Sequence, residues 1–427
     1  MGLWILFIVL AVCLILGVPV AVSLALASLS YILISGTPEV VLIHNMITGV
    51  DSFPLLAIPF FILAGHLMNT GGITTKIFAF ARALMGWTPG GLGHVNVGAS
   101  VIFAGMSGAA VADAGGLGNV EIKAMRDAGY DTDFAVGVTA ASSTIGPIIP
   151  PSLPLVIFGV MASVSIGELF AAGLVPGLLM AVSLMVMVAW YSKRRNYPRD
   201  AKFNLCVIWH TFKAAFFPLL TPAIIIGGIA TGVFTPTEAA IAAVIYAMFL
   251  GMVIYRTLSW KHIVRVSMDT IETSAAILMI VSAATIFAWI LTANQVAALL
   301  GDTLLGLTQN KHLILLMIMG IVLAIGLFME TIAAITILVP VLMPIAITVG
   351  IDPVHLGIIV ILNLMLGLLT PPIGMVLYVL SEVSGVSFEK CVKATMPFLV
   401  PLVIVLLLIT FIPEIALWLP NTVFKGG

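Results

Sequence analysis

TIGPIIPPSLP at residues 144–154 and GLLTPPIGM at 367–375 are apolar segments broken by glycine and proline. They repeat one pattern, with Pro371 following Pro150 by 221 residues. A proline pair removes backbone donors and clashes with the preceding turn, so an ordinary helix cannot continue through it. The chain is therefore predicted to unwind at both places. In a membrane, unwound backbone is tolerated only where protein or a watery cavity satisfies it, and matched interruptions in two halves of a chain point to a secondary transporter's site.

Composition sets the class. Of 427 residues, 61% are hydrophobic and 8% charged, and the mean hydropathy is +1.24, whereas soluble domains carry about a quarter charged residues. The chain reads as an all-α polytopic membrane protein. Its 17 basic and 18 acidic residues nearly cancel, with no Lys/Arg tract of the kind nucleic-acid binding requires. Cys13, Cys206 and Cys391 are far apart and read as small core hydrophobes rather than metal ligands or a disulfide framework. The N-terminal run through Leu33 lacks a basic n-region and exceeds the ~7–15 residues of a signal h-region, so it reads as one tilted transmembrane helix.

Loop charge gives the orientation. Lys193, Arg194, Arg195, Arg199 and Lys202 form the densest basic cluster, with Arg256, Lys261 and Arg265 as the second, and both are assigned to the cytoplasm. Two crossings, 210–231 and 236–255, separate them. Counting backwards, helix 168–192 descends, the broken helix 134–161 rises, and 123–133 is cytoplasmic together with the amphipathic stretch 73–88. Residues 91–122 must then enter and leave by one face. Arms of ~15 residues reach about 22 Å, short of a ~30 Å core, so this segment is predicted to be a re-entrant hairpin with its tip at Met106–Ala109.

The second half repeats the pattern upside down. Helix 268–298 rises, 301–311 is an external loop, 312–348 forms a hairpin with its tip at Gly326–Thr331, and the broken helix 355–382 descends. Helix 394–412 rises last. The prediction is thus inverted repeats with two re-entrant hairpins and two broken helices, the N-terminus cytoplasmic and the C-terminus periplasmic. In domain terms, 1–90 is scaffold with an amphipathic arm, 91–161 and 312–382 are the two halves of a transport core, 162–311 is scaffold with a connecting arm, and 383–427 is a C-terminal scaffold helix.

Tips and breaks offer oxygen and little else. Repeat one supplies Ser107, Gly108, Gly146, Pro147, Pro150, Pro151 and Ser152; repeat two supplies Gly326, Glu330, Thr331, Gly367, Thr370, Pro371 and Pro372. Glycine lets carbonyls turn inward and proline leaves an earlier carbonyl without its donor. A hard cation such as Na⁺ suits such oxygens, and half-helix N-termini suit a carboxylate. Asp113 and Glu330 are intramembrane carboxylates and hence functional candidates. Glu238 and Glu272 read as packing or interface residues, and His44, His66 and His94 lack metal-ligand spacing.

Two rival readings come from other classes. Gly105-Met106-Ser107-Gly108 matches the GxSG of intramembrane serine hydrolases, but a serine nucleophile needs a histidine base, and none occurs between His94 and His210. A passive organic-anion channel could also be lined by paired half-helices. An ATP-driven permease is disfavoured by the lack of a GxxxxGK[ST] loop.

Five ordered stretches carry a family resemblance: DSFPLLAIPFFILAGHLMNTGG at 51–72, SGAAVADAGGLG at 107–118, IGPIIPPSLPLVIFG at 145–159, FTPTEAAIAA at 234–243 and GLLTPPIGMVLYV at 367–379. Across essentially its whole length the chain resembles the large membrane subunit of tripartite ATP-independent periplasmic (TRAP) transporters. The resemblance implies an elevator-type, ion-transporter-like fold and a non-enzymatic, Na⁺-coupled symporter in the bacterial inner membrane. It would import an organic acid, of the sialic acid or C4-dicarboxylate type, with a small membrane subunit and a soluble periplasmic binding protein as partners. At least two coupling Na⁺ ions are implied. One falls at Ser107, Ala109, Gly146, Ile149 and Pro151, the other at Gly326, Gly367, Thr370 and Ile373. Substrate contacts are expected at Ser107, Gly108, Ser152, Thr331 and Thr370.

Overall fold

A computed structural model describes residues 2–200, 202–308 and 310–424, with the side chains of Gly2, Ser107, Asp302, Leu304, Leu305 and Leu307 outside the description. Every regular element among the described residues is helical. In chain order these are α1 (Gly2–Ile15), α2 (Val20–Ser35), α3 (Val40–Val50), a short turn at Phe53–Leu56, α4 (Ala57–Thr70), α5 (Ile73–Met85), α6 (Gly91–Ser107), α7 (Ala110–Asp127), α8 (Thr132–Ser143), α9 (Leu153–Ala162) and α10 (Ile166–Arg195). The second half comprises α11 (Leu205–Ala230), α12 (Pro236–Phe249) with a π turn at Leu250–Ile254, α13 (Trp260–Ala293), α14 (Val296–Leu307), α15 (Lys311–Gly326), α16 (Thr331–Thr348), α17 (Pro353–Leu368), α18 (Met375–Ser384), α19 (Phe388–Phe411) and α20 (Glu414–Phe424).

Both hairpins and both broken helices form where the sequence places them. The 17 residues of α6 span about 26 Å, and the 16 of α15 about 24 Å, each short of a ~30 Å hydrocarbon core. Gly108, at φ 60°, ends α6 and turns the chain into α7. Helix α8 stops at Ser143 and resumes as α9 at Leu153, and α17 stops at Leu368 and resumes as α18 at Met375. The Pro150–Pro151 and Pro371–Pro372 bonds are both cis. The repeats interlock reciprocally. Helix α7 of the first hairpin packs on α18 of the second broken helix, and α16 of the second hairpin packs on α9 of the first.

The sequence places α10 and α19 in the scaffold, and both pack against the broken helices. A Cβ on Gly173 of α10 would stand 2.1 Å from the Ile148 carbonyl oxygen, so α10 passes backbone to backbone over the first break. On α8, a Cβ at Gly137 would stand 2.3 Å from the Ala394 carbonyl of α19. His355 of α17 donates from Nε2 to the Ile409 carbonyl of α19 at 2.8 Å.

The N-terminal run is also two helices and not one. Gly17, at φ 76°, and Pro19 separate α1 from α2, a glycine stop followed by a proline that cannot continue the helix. The two then pack side by side. Beyond them, α3 and α4 run antiparallel along α13. Gly49 lies against Thr285, the Ser282 hydroxyl donates to the Met46 carbonyl at 2.7 Å, and His66 Nδ1 meets the Thr270 hydroxyl at 3.4 Å. At the far end Tyr31 of α2 donates to Asn294 Oδ1 at 3.1 Å. Three smaller differences remain. Residues read as the 301–311 loop begin within helix α14, α20 folds back onto α10, and Cys206 is exposed at the start of α11.

Polar contacts fasten the face assigned to the cytoplasm. Arg195 at the end of α10 bridges Asp131 at 2.9 Å and Asp133 at 3.2 Å. The Tyr197 hydroxyl, followed by Arg195, holds the Asp131 carboxyl below its ordinary range. Arg82 of α5 grips Asp200 at 2.6 Å.

The close approach of α8 to α19 gives a direct check. Gly137→Val should cost about 1–3 kcal/mol by overpacking and lower the unfolding midpoint of purified protein. An unchanged midpoint would remove α19 from the core.

Candidate functional site

Tip one rests on break one. Gly108 carries the left-handed backbone that lets the hairpin turn, and a Cβ there would lie within 2.4 Å of the Pro151 carbonyl oxygen and 3.2 Å of Ser152 Cα. A Cβ on Gly146 would stand 3.9 Å from the backbone of Ala109. The residues expected to hold the first ion, namely Ala109, Gly146, Ile149 and Pro151, therefore come from two chain segments in contact. Ser107 contributes its backbone at the end of α6, and its side chain lies outside the described residues.

Repeat two builds the same contact from different atoms. A Cβ on Gly367 would be 2.7 Å from both the carbonyl carbon and the carbonyl oxygen of Gly326. The Ile373 amide donates to the Leu327 carbonyl at 3.4 Å. Gly326, Gly367 and Ile373 thus converge, and Thr370 follows one turn after Leu366, donating its hydroxyl to the Leu366 carbonyl at 2.7 Å. Both clusters offer oxygen ligands suited to a hard monovalent ion. Among the described residues no group of three or more His, Cys, Asp or Glu side chains could hold a metal.

All four pieces of the two repeats border one small cavity of about 100 Å³. Ala109–Val111 come from tip one, Pro147 from break one, Glu330 and Thr331 from tip two, and Met375 from the restart of the second broken helix. The volume corresponds to roughly three waters at about 30 Å³ each, less than a sugar-sized solute.

Capping makes the cavity asymmetric. The four half-helix N-termini each present amides without intrahelical partners. At α16 the Glu330 carboxylate fills that role, accepting from Ile332 N at 3.0 Å and Ala333 N at 3.3 Å. At α9 the Ser152 hydroxyl accepts from Leu155 N at 3.2 Å. Ala109 before α7 and Gly374 before α18 have no side chain for the task. The uncapped N-termini of α7 and α18 both border the cavity, and aligned helix dipoles there favour a carboxylate. The hydroxyl of Thr331, a residue 5% exposed, has no hydrogen-bond partner among the described residues and adds a buried polar group at the same place.

Two expected substrate contacts fall elsewhere. Ser152 is fully buried, and its hydroxyl is spent twice within break one, donating to the Pro147 carbonyl and capping α9. Thr370 does not border the cavity. Thr331 does, and Gly108 adjoins it through Ala109. The free N-terminus of α18 was missed by sequence reasoning; the signal was Gly374, which cannot cap, directly before Met375. Glu238 forms a capping box with Thr235 at the start of α12, and His94 is half-buried on α6.

Residues 7–415 match the sequence family described as the tripartite ATP-independent periplasmic transporter, DctM component. The sialic acid TRAP transporter large permease protein SiaM of Vibrio cholerae is 48% identical over 412 residues, covering 96% of each chain. The sialic acid TRAP transporter permease protein SiaT of Haemophilus influenzae is 43% identical over 407 residues, which cover 95% of this chain and 66% of that one. Among solved structures, the YdaH transporter of Alcanivorax borkumensis, described as having an unusual topology, aligns with a TM-score of 0.68 at 14% identity, covering 89% of this chain and 88% of that one.

Two substitutions separate the roles assigned above. Gly367→Ala forces tip two off break two and should lower uptake into proteoliposomes at least about tenfold, a transition-state or binding loss near 1.4 kcal/mol; wild-type uptake would contradict the contact's role. Ser152→Ala should cost ~1 kcal/mol of stability as a lost cap and leave the half-saturating solute concentration unchanged, and a shift in that concentration would restore Ser152 to the binding site.

Proposed function

The chain belongs to the DctM component family of tripartite ATP-independent periplasmic transporters, and from that membership we propose that it is the large permease of a Na⁺-coupled importer of organic acids. It is a membrane transport protein and not an enzyme. The observation that carries the proposal is the meeting of two inverted tips and two breaks at one cavity, which the uncapped N-termini of α7 and α18 border. One Na⁺ would sit at Ala109, Gly146, Ile149 and Pro151 with the Ser107 carbonyl. A second would sit at Gly326, Gly367, Ile373 and Thr370.

The chemistry of coupling follows from these positions. Each ion would fasten a hairpin tip to its break through main-chain carbonyl oxygens, and so hold the amides of α7 and α18 in place for a solute carboxylate. Binding the ions first lowers the ordering cost of binding the anion, and the coupling is reciprocal. Sialic acid is the leading solute, in keeping with the names of the two relatives above, and a C4-dicarboxylate is the runner-up. A small membrane subunit and a soluble periplasmic binding protein complete the proposed system in the bacterial inner membrane.

Transport would proceed as an elevator. Helices α6–α10 and α15–α19 form the packed unit that carries the site, and it would slide against α2–α4 and α11–α13. Orientation rests on the basic cluster at 193–202 lying in the cytoplasm. Because α3 and α4 make one traverse antiparallel to α13, and α1 and α2 double back on each other, the N-terminus would be periplasmic, not cytoplasmic. The C-terminus would share that side, since Phe424 of α20 approaches Gly167 at the start of α10.

Replacing Na⁺ by K⁺ in proteoliposomes loaded with the cognate binding protein should abolish uptake, and uptake unchanged in K⁺ would end the coupling proposal. A reporter fused before Gly2 should register a periplasmic N-terminus; a cytoplasmic signal would overturn the traverse count.

A further inference from the structure

Hairpin one and α8 enclose a second polar cluster, running from Asp113 in the first turn of α7 to Glu121, that the transport reading does not use. Asn96 and Ser100 on α6, Asp113 and Glu121 on α7, and Thr139 and Ser142 on α8 are each no more than 2% exposed. Asn96 organises half of it. Its Nδ2 donates to Glu121 Oε2 and to Thr139 Oγ1, both at 2.7 Å, and its Oδ1 accepts from the Ser142 hydroxyl at 2.6 Å. Both amide protons are then used.

The other half is unfilled. Ser100 Oγ, both Asp113 carboxylate oxygens and Glu121 Oε1 are buried without a hydrogen-bond partner among the described residues. Ser100 nevertheless stands beside Asp113, and the Asp113 and Glu121 carboxylates lie within electrostatic reach of each other. Among the described residues no Lys, Arg or His forms a salt bridge with either. The titratable groups brought by the helices packed on α7 do not compensate. His94 of α6 is half-buried, while Asp133 of α8 and Tyr378 and Glu382 of α18 are exposed, as are Lys123, Arg126 and Asp127 on α7 itself.

Two carboxylates, one hydroxyl and no basic side chain form an oxygen-only donor set at membrane depth. Such a group is retained only if something positive neutralises it. We propose that Asp113, Glu121 and Ser100 form a binding site for one monovalent cation, H⁺ or Na⁺, inside hairpin one, built from side-chain oxygens and beginning one helical turn from Ala109 of the first tip cluster, whose carbonyl accepts from the Asp113 amide at 3.1 Å. Asn96, Thr139 and Ser142 are its positioning residues, fixing the Glu121 carboxylate. The site travels with the hairpin, so an ion held there would cross with the core. This goes beyond the two tip sites and does not depend on them. Its test reads binding rather than transport.

The experiment follows the unfolding midpoint of the purified complex with its small subunit, first against Na⁺ at fixed pH and then against pH in Na⁺-free choline buffer. A bound ion stabilises the folded state in proportion to its occupancy. If the site takes Na⁺, Asp113→Asn and Glu121→Gln should each raise the half-stabilising Na⁺ concentration at least about tenfold with the pH profile unchanged. If it takes a proton, wild-type protein in choline loses stability as pH rises, and the neutral amide variants do not. Glu121→Gln keeps the acceptor for Asn96 and carries the test if Asp113→Asn fails to fold. Variants that match wild type in both arms would overturn the site.

Discussion

Backbone carbonyls at membrane depth must have partners, and every feature of the site descends from that requirement. Pro150–Pro151 and Pro371–Pro372 end two helices inside the apolar layer. The freed groups cannot face lipid. Each break is instead covered by a hairpin tip whose own turn depends on small residues, Gly108 against Pro151 and Gly326 against Gly367. The inverted order of the repeats then sets α7 on α18 and α9 on α16, and the two covered breaks share one cavity. The placement of the helix termini and of the oxygen clusters follows from where the prolines stand.

Symmetry is imperfect where chemistry needs it to be. Glu330 and Ser152 cap two of the four half-helices, while Ala109 and Gly374 leave the other two open. A fully capped set would repel or ignore a carboxylate; a fully open set would leave four termini unsatisfied when the solute departs. Hairpin one carries a further asymmetry in the Asp113–Glu121 cluster. Position 113 faces α6 and its serine, whereas the corresponding arm of hairpin two, Thr331–Thr348, contains no acidic residue at all.

Much of the fold was legible because proline, glycine and loop charge act locally. The breaks at 144–152 and 369–374 and both tips follow from residues adjacent in sequence, whereas the pairing of Arg195 with Asp131, 64 residues apart, does not. The allegiance of α10 and α19 was not legible, because Gly173 over Ile148 and Gly137 over Ala394 are close approaches between segments far apart in the chain. The division of the N-terminal run at Gly17 and Pro19 was written in the sequence and masked by uninterrupted hydropathy. Ser152 shows the limit for side chains. A serine beside a proline pair reads equally as ligand or cap, and only the position of the Pro147 carbonyl and the Leu155 amide decides it.

The central claim is that the two covered breaks are ion sites formed by main-chain oxygen. Density maps of the assembled complex, determined in parallel in NaCl and in a choline salt at a resolution that shows ordered ions, test it most directly. The account predicts one peak between Ala109 and the 146–151 carbonyls and one between Gly326 and Gly367–Thr370, both absent in choline. Maps that are the same in the two salts, or Na⁺-dependent peaks that avoid both breaks, would contradict it.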